Sequence, residues 1–188
     1  ERIPYSSIGL MHGTRCLGST VFQTCIYWNS PRRCAFCGIE LSLHNSATVH
    51  TKTPAQLLEV AMAASRLDGI EHVTLTTGVQ TDESEEITHL ASCCSAIKSQ
   101  TALRVHVQIM PPNDAGLLEL LQESGVDTVG IHIESFERAV LERAAPCKAG
   151  LTTSRFISSW KSAVDIFGIN QVSSFLIAGL GESPTSVI

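Results

Sequence analysis

Two kinds of periodic segment alternate along the chain from about residue 53 onward, and this alternation limits the folds it can adopt. Helical stretches repeat apolar residues every three to four positions, and the short stretches between them are rich in β-branched residues. The predicted helices cover residues 53–69, 83–100, 114–124, 136–145 and 153–167. The predicted strands cover residues 19–24, 72–78, 103–109, 127–135 and 172–180. Strands that alternate with helices in this way indicate an α/β fold with a parallel sheet.

The first helix carries the clearest start signal. Thr53 is a good N-cap residue, Pro54 suits the first helical position, and Gln56 stands three residues after the cap. We therefore expect a capping box at this helix start.

Two of the predicted strands have one apolar face and one polar face. The polar positions are Arg104, His106 and Gln108 in the first, and Gly130, His132 and Glu134 in the second. In a closed barrel one strand face packs on the helices and the other points inward, so the interior would be polar. Burying such groups without partners costs about 1 to 3 kcal/mol each, which implies water, a ligand or a cofactor inside. The alternative is an open sheet whose polar face lies in solvent.

Length and charge exclude several classes of protein. The chain has 188 residues and a formal net charge of −5, which suits one domain and argues against binding to a nucleic-acid backbone. Its longest apolar stretch, at 175–180, is far shorter than the roughly 20 residues of a membrane span. Because it begins at Glu1 and ends on a helix start without a helix, we expect an excerpt of a longer protein. It would form a single core domain over residues 1–188, with a sixth strand and any C-terminal domain missing.

Cysteine is unusually frequent. The chain has seven cysteines and no visible secretory leader, and an odd number fits a disulfide framework poorly. We therefore expect a reducing, cytoplasmic location, where clustered cysteines are more often metal ligands or catalytic groups. Cys147 is interpreted as a surface thiol or an extra ligand.

Three cysteines lie in one loop directly after the first predicted strand. Cys25, Cys34 and Cys37 have the spacing C-x8-C-x2-C. Thiolates suit a soft metal or an iron-sulfur cluster, and three protein ligands leave one position open for chemistry. Adding Cys16 would give four thiolates, enough to close a structural zinc site.

The motifs together resemble those of the radical S-adenosylmethionine (SAM) superfamily. The resemblance rests on the three-cysteine loop with Phe36 before Cys37, on TTG at 76–78, on HIES at 132–135 and on FLIAGLGES at 175–183. It is strongest to the biotin synthase group, and extends to radical SAM proteins encoded beside nitrilases. The usual spacing in the superfamily is C-x3-C-x2-C, so the first gap here is longer.

This resemblance implies a partial TIM-type (β/α)6 barrel, truncated at the C-terminus, with two cofactors. Cys25, Cys34 and Cys37 would each ligate one iron of a 4Fe-4S cluster, and the fourth iron would take the amino and carboxylate groups of SAM. The SAM-binding residues would be Phe36, Ile177 and Gly179 at the adenine, Thr77 and Gly78 near the methionine amino group, Glu134 at the amino or ribose groups, and Arg155 near the carboxylate.

The implied activity is reductive cleavage of SAM to a 5'-deoxyadenosyl radical, which abstracts hydrogen from a small-molecule substrate. An electron donor such as flavodoxin or ferredoxin would supply the electron, and His106, Gln108 and His132 would contact the substrate. One alternative is a zinc-stabilised βα domain with a structural four-cysteine site and a binding role. Another is an aldolase-like barrel, which the lack of lysine on the two polar strand faces disfavours.

Overall fold

The computed structural model describes residues 3–186 as one α/β unit built on a six-stranded sheet. The strands are β1 (Leu10–His12), β2 (Cys16–Thr20), β3 (His72–Thr76), β4 (Arg104–Ile109), β5 (Thr128–Ile131) and β6 (Val172–Ser173). The helices are α1 (Pro54–Leu67), α2 (Glu83–Gln100), α3 (Gly116–Glu123), α4 (Arg138–Ala144), α5 (Pro146–Ala149) and α6 (Thr153–Phe167). Short 3-10 turns cover Tyr5–Ser7 and Pro184–Ser186.

The sheet follows chain order from β1 to β6 and is open at both edges within the described residues. Strands β2 to β6 run parallel, and β1 pairs with β2 in the antiparallel direction. The predicted parallel α/β arrangement is therefore confirmed, in the form of a partial barrel. Because the sheet is not closed, the polar strand positions predicted to line a barrel interior lie on one face of an open sheet.

The first and last strands differ from the prediction. The first parallel strand is Cys16–Thr20, so placing it at 19–24 was wrong. Gly18 and Ser19 are poor strand formers, and they hid the strand from a search based on propensity. At the other end only Val172 and Ser173 form a regular ladder, and pairing resumes as one bridge between Glu134 and Leu176.

Apolar strand positions and helix stripes meet in one buried cluster. Val105, Val107 and Ile131 are buried against helix residues such as Leu90 and Phe156. The polar positions of the same strands lie on the opposite face, as their alternation predicts. No helix in the described part of the chain is long and apolar enough to cross a membrane.

The helix starts follow their local sequence. Thr53 accepts a hydrogen bond from the backbone N–H of Gln56, and the Gln56 side chain accepts one from Thr53, so the predicted capping box is confirmed. The Asp82 carboxylate caps α2 by accepting from the N–H groups of Ser84 and Glu85. Both caps therefore fix where a loop at the carboxyl edge of the sheet ends and the next helix begins.

The long segment between β2 and α1 is closed by a buried lysine. The Lys52 ammonium donates to Gln23 Oε1 and Thr48 Oγ1, both at 2.7 Å, and Gln23 donates to the carbonyl of Ile39 at 2.6 Å. Burial lowers the pKa of Lys52 to about 8. These bonds hold the base of the cysteine-containing loop against the end of β2.

A candidate cofactor site at the carboxyl edge of the sheet

The cysteine loop has a defined conformation although it contains no helix or strand. The guanidinium of Arg33 stacks on the ring of Trp28, with 3.4 Å from its carbon to the ring centroid, and donates to the carbonyl of Cys37. Cys25 begins a turn in which its carbonyl accepts from Trp28, and its own N–H donates to Glu40. The loop therefore presents its three cysteines from a folded backbone.

Gly78 brings the loop close to the end of β3. A Cβ built on Gly78 would lie 2.0 Å from the carbonyl oxygen of Thr24, which no side chain can accommodate. The Gly78 N–H donates to the carbonyl of Phe22, and the Gln80 side chain donates to the carbonyl of Thr24. Gly78 therefore permits a close backbone approach between the end of β3 and the cysteine loop.

These elements enclose a cavity of about 360 Å³ at the carboxyl ends of the parallel strands. The predicted site residues that line it are Cys25, Cys34, Cys37, Phe36, Thr77, Gly78 and Glu134. The three cysteines are partly exposed to it, and burial raises the pKa of Cys25. Phe36 is 42% exposed, so part of this residue is accessible at the cavity that it lines. Gln108 and His132 also line the cavity, as expected for interior polar positions.

Cys147 is a fourth thiol in this cavity. It is buried in α5, so the interpretation as a surface thiol was wrong. Its Sγ lies 3.3 Å from Sγ of Cys34. The hydrogen bond between these two thiols raises the pKa of Cys34 and lowers that of Cys147 to about 7. The sequence around Cys147 has no metal-site spacing, so only the fold shows this proximity.

Glu134 is held by a lysine that the sequence analysis did not single out. The Lys148 ammonium lies 2.6 Å from Glu134 Oε1 and also donates to the carbonyl of His132. Both charged side chains are about nine-tenths buried. Glu134 itself has φ of +69°, and its backbone pairs with Phe175 and Ile177 of the last motif. The carboxylate therefore lines the cavity in one fixed position.

His132 is a neutral hydrogen-bond donor aligned by its neighbours. The backbone N–H of Phe175 donates to His132 Nδ1 at 3.1 Å, and the two rings stack with centroids 4.1 Å apart. Burial, with the charge of Lys148 and the nearby His106, lowers the pKa of His132 to about 4. Because Nδ1 accepts, the proton of the neutral ring lies on Nε2. That atom is buried and has no hydrogen-bond partner among residues 3–186.

Three predicted SAM-binding residues lie away from the cavity. Arg155, at the start of α6, lines a neighbouring hollow and donates to the carbonyl of Pro111. Ile177 donates its N–H to the carbonyl of Glu134, a residue that lines the cavity. Gly179 adopts φ of +94° in an exposed turn and donates to Glu182.

Cys16 is remote from the other cysteines. It begins β2, whereas the cysteine loop follows the end of that strand, about 13 Å further along at 3.3 Å per residue. Its Sγ contacts Thr74 Oγ1 at 3.4 Å. The four-cysteine zinc site is therefore not supported. Within the described range no three His, Cys, Asp or Glu side chains are grouped closely enough to hold a single metal ion. The cysteine ligands of an iron-sulfur cluster bind separate iron atoms and lie further apart, so a cluster does not need such a group.

Comparison with known proteins decides the family. The family model described as the radical SAM superfamily matches residues 29–187, which include Cys34, Cys37 and Glu134. The chain belongs to the radical SAM superfamily. No curated protein matches its sequence. The family match does not specify the biotin synthase branch.

Solved structures of radical SAM enzymes share the fold. Methylornithine synthase (PylB) superposes with a TM-score of 0.68 at 15% identity, over 93% of this chain and 48% of its own. The FeFe-hydrogenase maturase HydG superposes with a TM-score of 0.67 at 16% identity, over 97% of this chain and 39% of its own. HydG from Carboxydothermus hydrogenoformans superposes with a TM-score of 0.66 at 19% identity, over 92% of this chain and 39% of its own. The radical SAM chain described here therefore spans less than half the length of these structures.

The site suits the cofactors of this superfamily, whose members use a 4Fe-4S cluster and SAM. Three cysteines on one loop face one cavity, which is the donor set that an iron-sulfur cluster with one open iron requires. The same cavity is lined by the buried carboxylate of Glu134 and by His132, and these polar side chains suit the charged and hydrogen-bonding parts of SAM.

Proposed function

We propose that the protein is a radical SAM enzyme whose cluster is held by Cys25, Cys34 and Cys37. The observation that carries this proposal is that all three thiols line one cavity together with Glu134, at the carboxyl edge of a parallel sheet. When bound, the cluster and SAM supply a one-electron reductive cleavage that leads to removal of hydrogen from the substrate. The protein contributes binding, orientation and exclusion of water.

The residues around the cavity have separate tasks in this proposal. Glu134 presents a carboxylate to the cationic part of SAM, and Lys148 keeps that carboxylate in place. Phe36 contacts the adenine, and Thr77 and Gly78 lie near the methionine end. His132 lines the cavity beside SAM or substrate without carrying a positive charge at neutral pH.

Three of the predicted SAM-binding residues do not line the cavity, and we propose supporting tasks for them. Ile177 supports Glu134 through a backbone hydrogen bond of 2.9 Å. Gly179 follows on the same segment, and Arg155 extends toward the turn after β4. We propose that these residues complete the adenine and carboxylate contacts once SAM orders the segments around them.

The substrate we propose is a small molecule. The cavity is lined by Gln108, Met110 and His132 beyond the cysteines, a mixture of polar and apolar groups that suits a compact organic substrate. The net charge of −5 disfavours a nucleic acid. A flavodoxin or ferredoxin would supply the electron. We propose a reducing compartment such as the cytoplasm, where clustered cysteines are more often metal ligands than disulfides.

The test is anaerobic reconstitution of the whole protein with iron and sulfide, followed by electron paramagnetic resonance of the reduced sample. We expect a four-iron signal that shifts when SAM is added. The Cys37→Ala variant should lose the signal, because it removes one of the three proposed cluster ligands. The matched control Cys16→Ala should keep it, since that residue lies at the far end of β2. Loss of metal in Cys16→Ala, or the same signal in Cys37→Ala, would refute the assignment.

A further inference from the structure

The cavity contains one thiol more than a three-cysteine cluster site uses. Cys147 is buried, lines the cavity, and lies with its sulfur 3.3 Å from that of Cys34. We propose that Cys34 and Cys147 form a reversible disulfide in the cluster-free protein. This modification would store Cys34 in a protected form until the cluster is assembled.

Backbone contacts on both sides hold the two sulfurs together. The Cys147 N–H donates to the carbonyl of Arg32, two residues before Cys34. The Ala35 N–H donates to the carbonyl of Ala144, three residues before Cys147, at 2.8 Å. The Arg32 guanidinium also donates to the Cys147 carbonyl. The pair is therefore built into the junction between the cysteine loop and the α4–α5 corner.

Bond formation needs only a small movement. A disulfide bond is about 2.05 Å long, so the sulfurs must approach by roughly 1 Å from their 3.3 Å separation. Rotation of two side chains supplies such a movement without breaking the backbone contacts. Cys25 and Cys37 have no comparable sulfur contact among the residues that the structure describes.

The oxidant that we propose is hydrogen peroxide, which is small enough to enter the cavity. The sulfur of Cys147 attacks one peroxide oxygen, which leaves a sulfenic acid and releases one water molecule. The sulfur of Cys34 then displaces the hydroxyl as a second water molecule and forms the S–S bond. Two thiols and one peroxide thus give one disulfide and two water molecules. A dithiol reductant returns both thiols by exchange.

The consequence for cluster assembly rests on the proposed function. If Cys34 is a cluster ligand, the disulfide removes it from the ligand set and blocks assembly until it is reduced. The same bond keeps Cys34 from irreversible oxidation to sulfinic and sulfonic acids.

The first test is made on the whole protein after iron has been removed with a chelator. The protein is treated with one equivalent of hydrogen peroxide, alkylated, digested without reductant and examined by mass spectrometry. We expect a linked peptide pair that contains Cys34 and Cys147 and that disappears after treatment with dithiothreitol. A link from Cys34 to Cys25 or Cys37, or full alkylation of Cys147, would overturn the proposal.

Variants give an independent readout. In Cys147→Ser, peroxide should carry Cys34 on to sulfinic acid, at least fivefold more than in the parent protein. The control Cys93→Ser removes a buried thiol remote from the cavity and should leave the Cys34–Cys147 link unchanged. Equal sulfinic acid at Cys34 in the parent and Cys147→Ser proteins would contradict a protective role.

Cluster assembly separates the two proposals. Peroxide-treated protein should take up less than a tenth of the cluster of reduced protein, and dithiothreitol should restore uptake. If reduced protein also binds no cluster while the linked peptide forms, the proposed function fails and the disulfide stands. If oxidised and reduced protein take up cluster equally, the disulfide proposal fails.

Discussion

The ion pair between Lys148 and Glu134 can be tested by replacing the lysine with methionine. The two side chains are only about 10% and 11% exposed, and the ammonium also donates to the carbonyl of His132. Lys148→Met keeps most of the volume but leaves a buried carboxylate without its counter-charge. Removing one partner of a buried pair costs about 3 to 5 kcal/mol. We expect the free energy of unfolding to fall by that amount.

The double variant separates loss of charge from loss of packing. In Glu134→Gln/Lys148→Met neither charge remains, so no buried charge lacks its counter-charge, although the glutamine amide stays buried and polar. We expect the double variant to lose about 1 to 2 kcal/mol, less than Lys148→Met alone. A double-mutant cycle compares this double variant with Lys148→Met alone and Glu134→Gln alone. Its coupling energy would then be well above the error of the measurement.

The assay is urea unfolding of the cluster-free protein followed by circular dichroism at neutral pH. The matched control is Arg138→Met, which breaks the exposed pair between Arg138 and Glu142 on α4. Such surface pairs contribute less than about 0.5 kcal/mol. The reasoning is refuted if Lys148→Met costs no more than Arg138→Met, or if the double variant loses as much as the separate losses of Lys148→Met and Glu134→Gln added together.

Two further predictions concern the loop anchor and the pH dependence of stability. Gly78→Ala should disrupt cysteine-loop packing and reduce cluster uptake at least tenfold, because its Cβ would meet the Thr24 carbonyl at 2.0 Å. The control Gly18→Ala, whose Cβ has room at 3.7 Å, should keep normal uptake. Equal cluster uptake by the two variants would contradict this prediction. Burial raises the pKa of Glu86 to about 7, so its protonated form is favoured in the folded state and stability falls as pH rises from about 4.5 to 7. Glu86→Gln should flatten that dependence in urea titrations and gain about 1 to 3 kcal/mol at pH 8; an unchanged slope would show that Glu86 is not the group responsible.

Much of the architecture could be predicted from the sequence because its causes are local. The periods of the helices and strands, and the capping box at Thr53, depend on residues within a few positions of one another. The motif residues Cys34, Phe36 and Glu134 were assigned to one site through the resemblance to the radical SAM superfamily, and all three line one cavity at the carboxyl edge of the sheet. Strand β2 was misplaced because Gly18 and Ser19 give little local indication of a strand.

Contacts between distant segments could only be decided by the tertiary structure. Cys147 and Cys34 are 113 residues apart, and the α4–α5 corner brings them together through backbone hydrogen bonds that no periodicity reveals. The same corner supplies Lys148 to Glu134, and the approach of the Thr24 carbonyl explains the need for glycine at position 78. The sequence by itself determined the order of elements and the chemical character of the site. The packing of loops from separate βα units determined which groups pair within it, because those distances depend on how the whole sheet twists and curves.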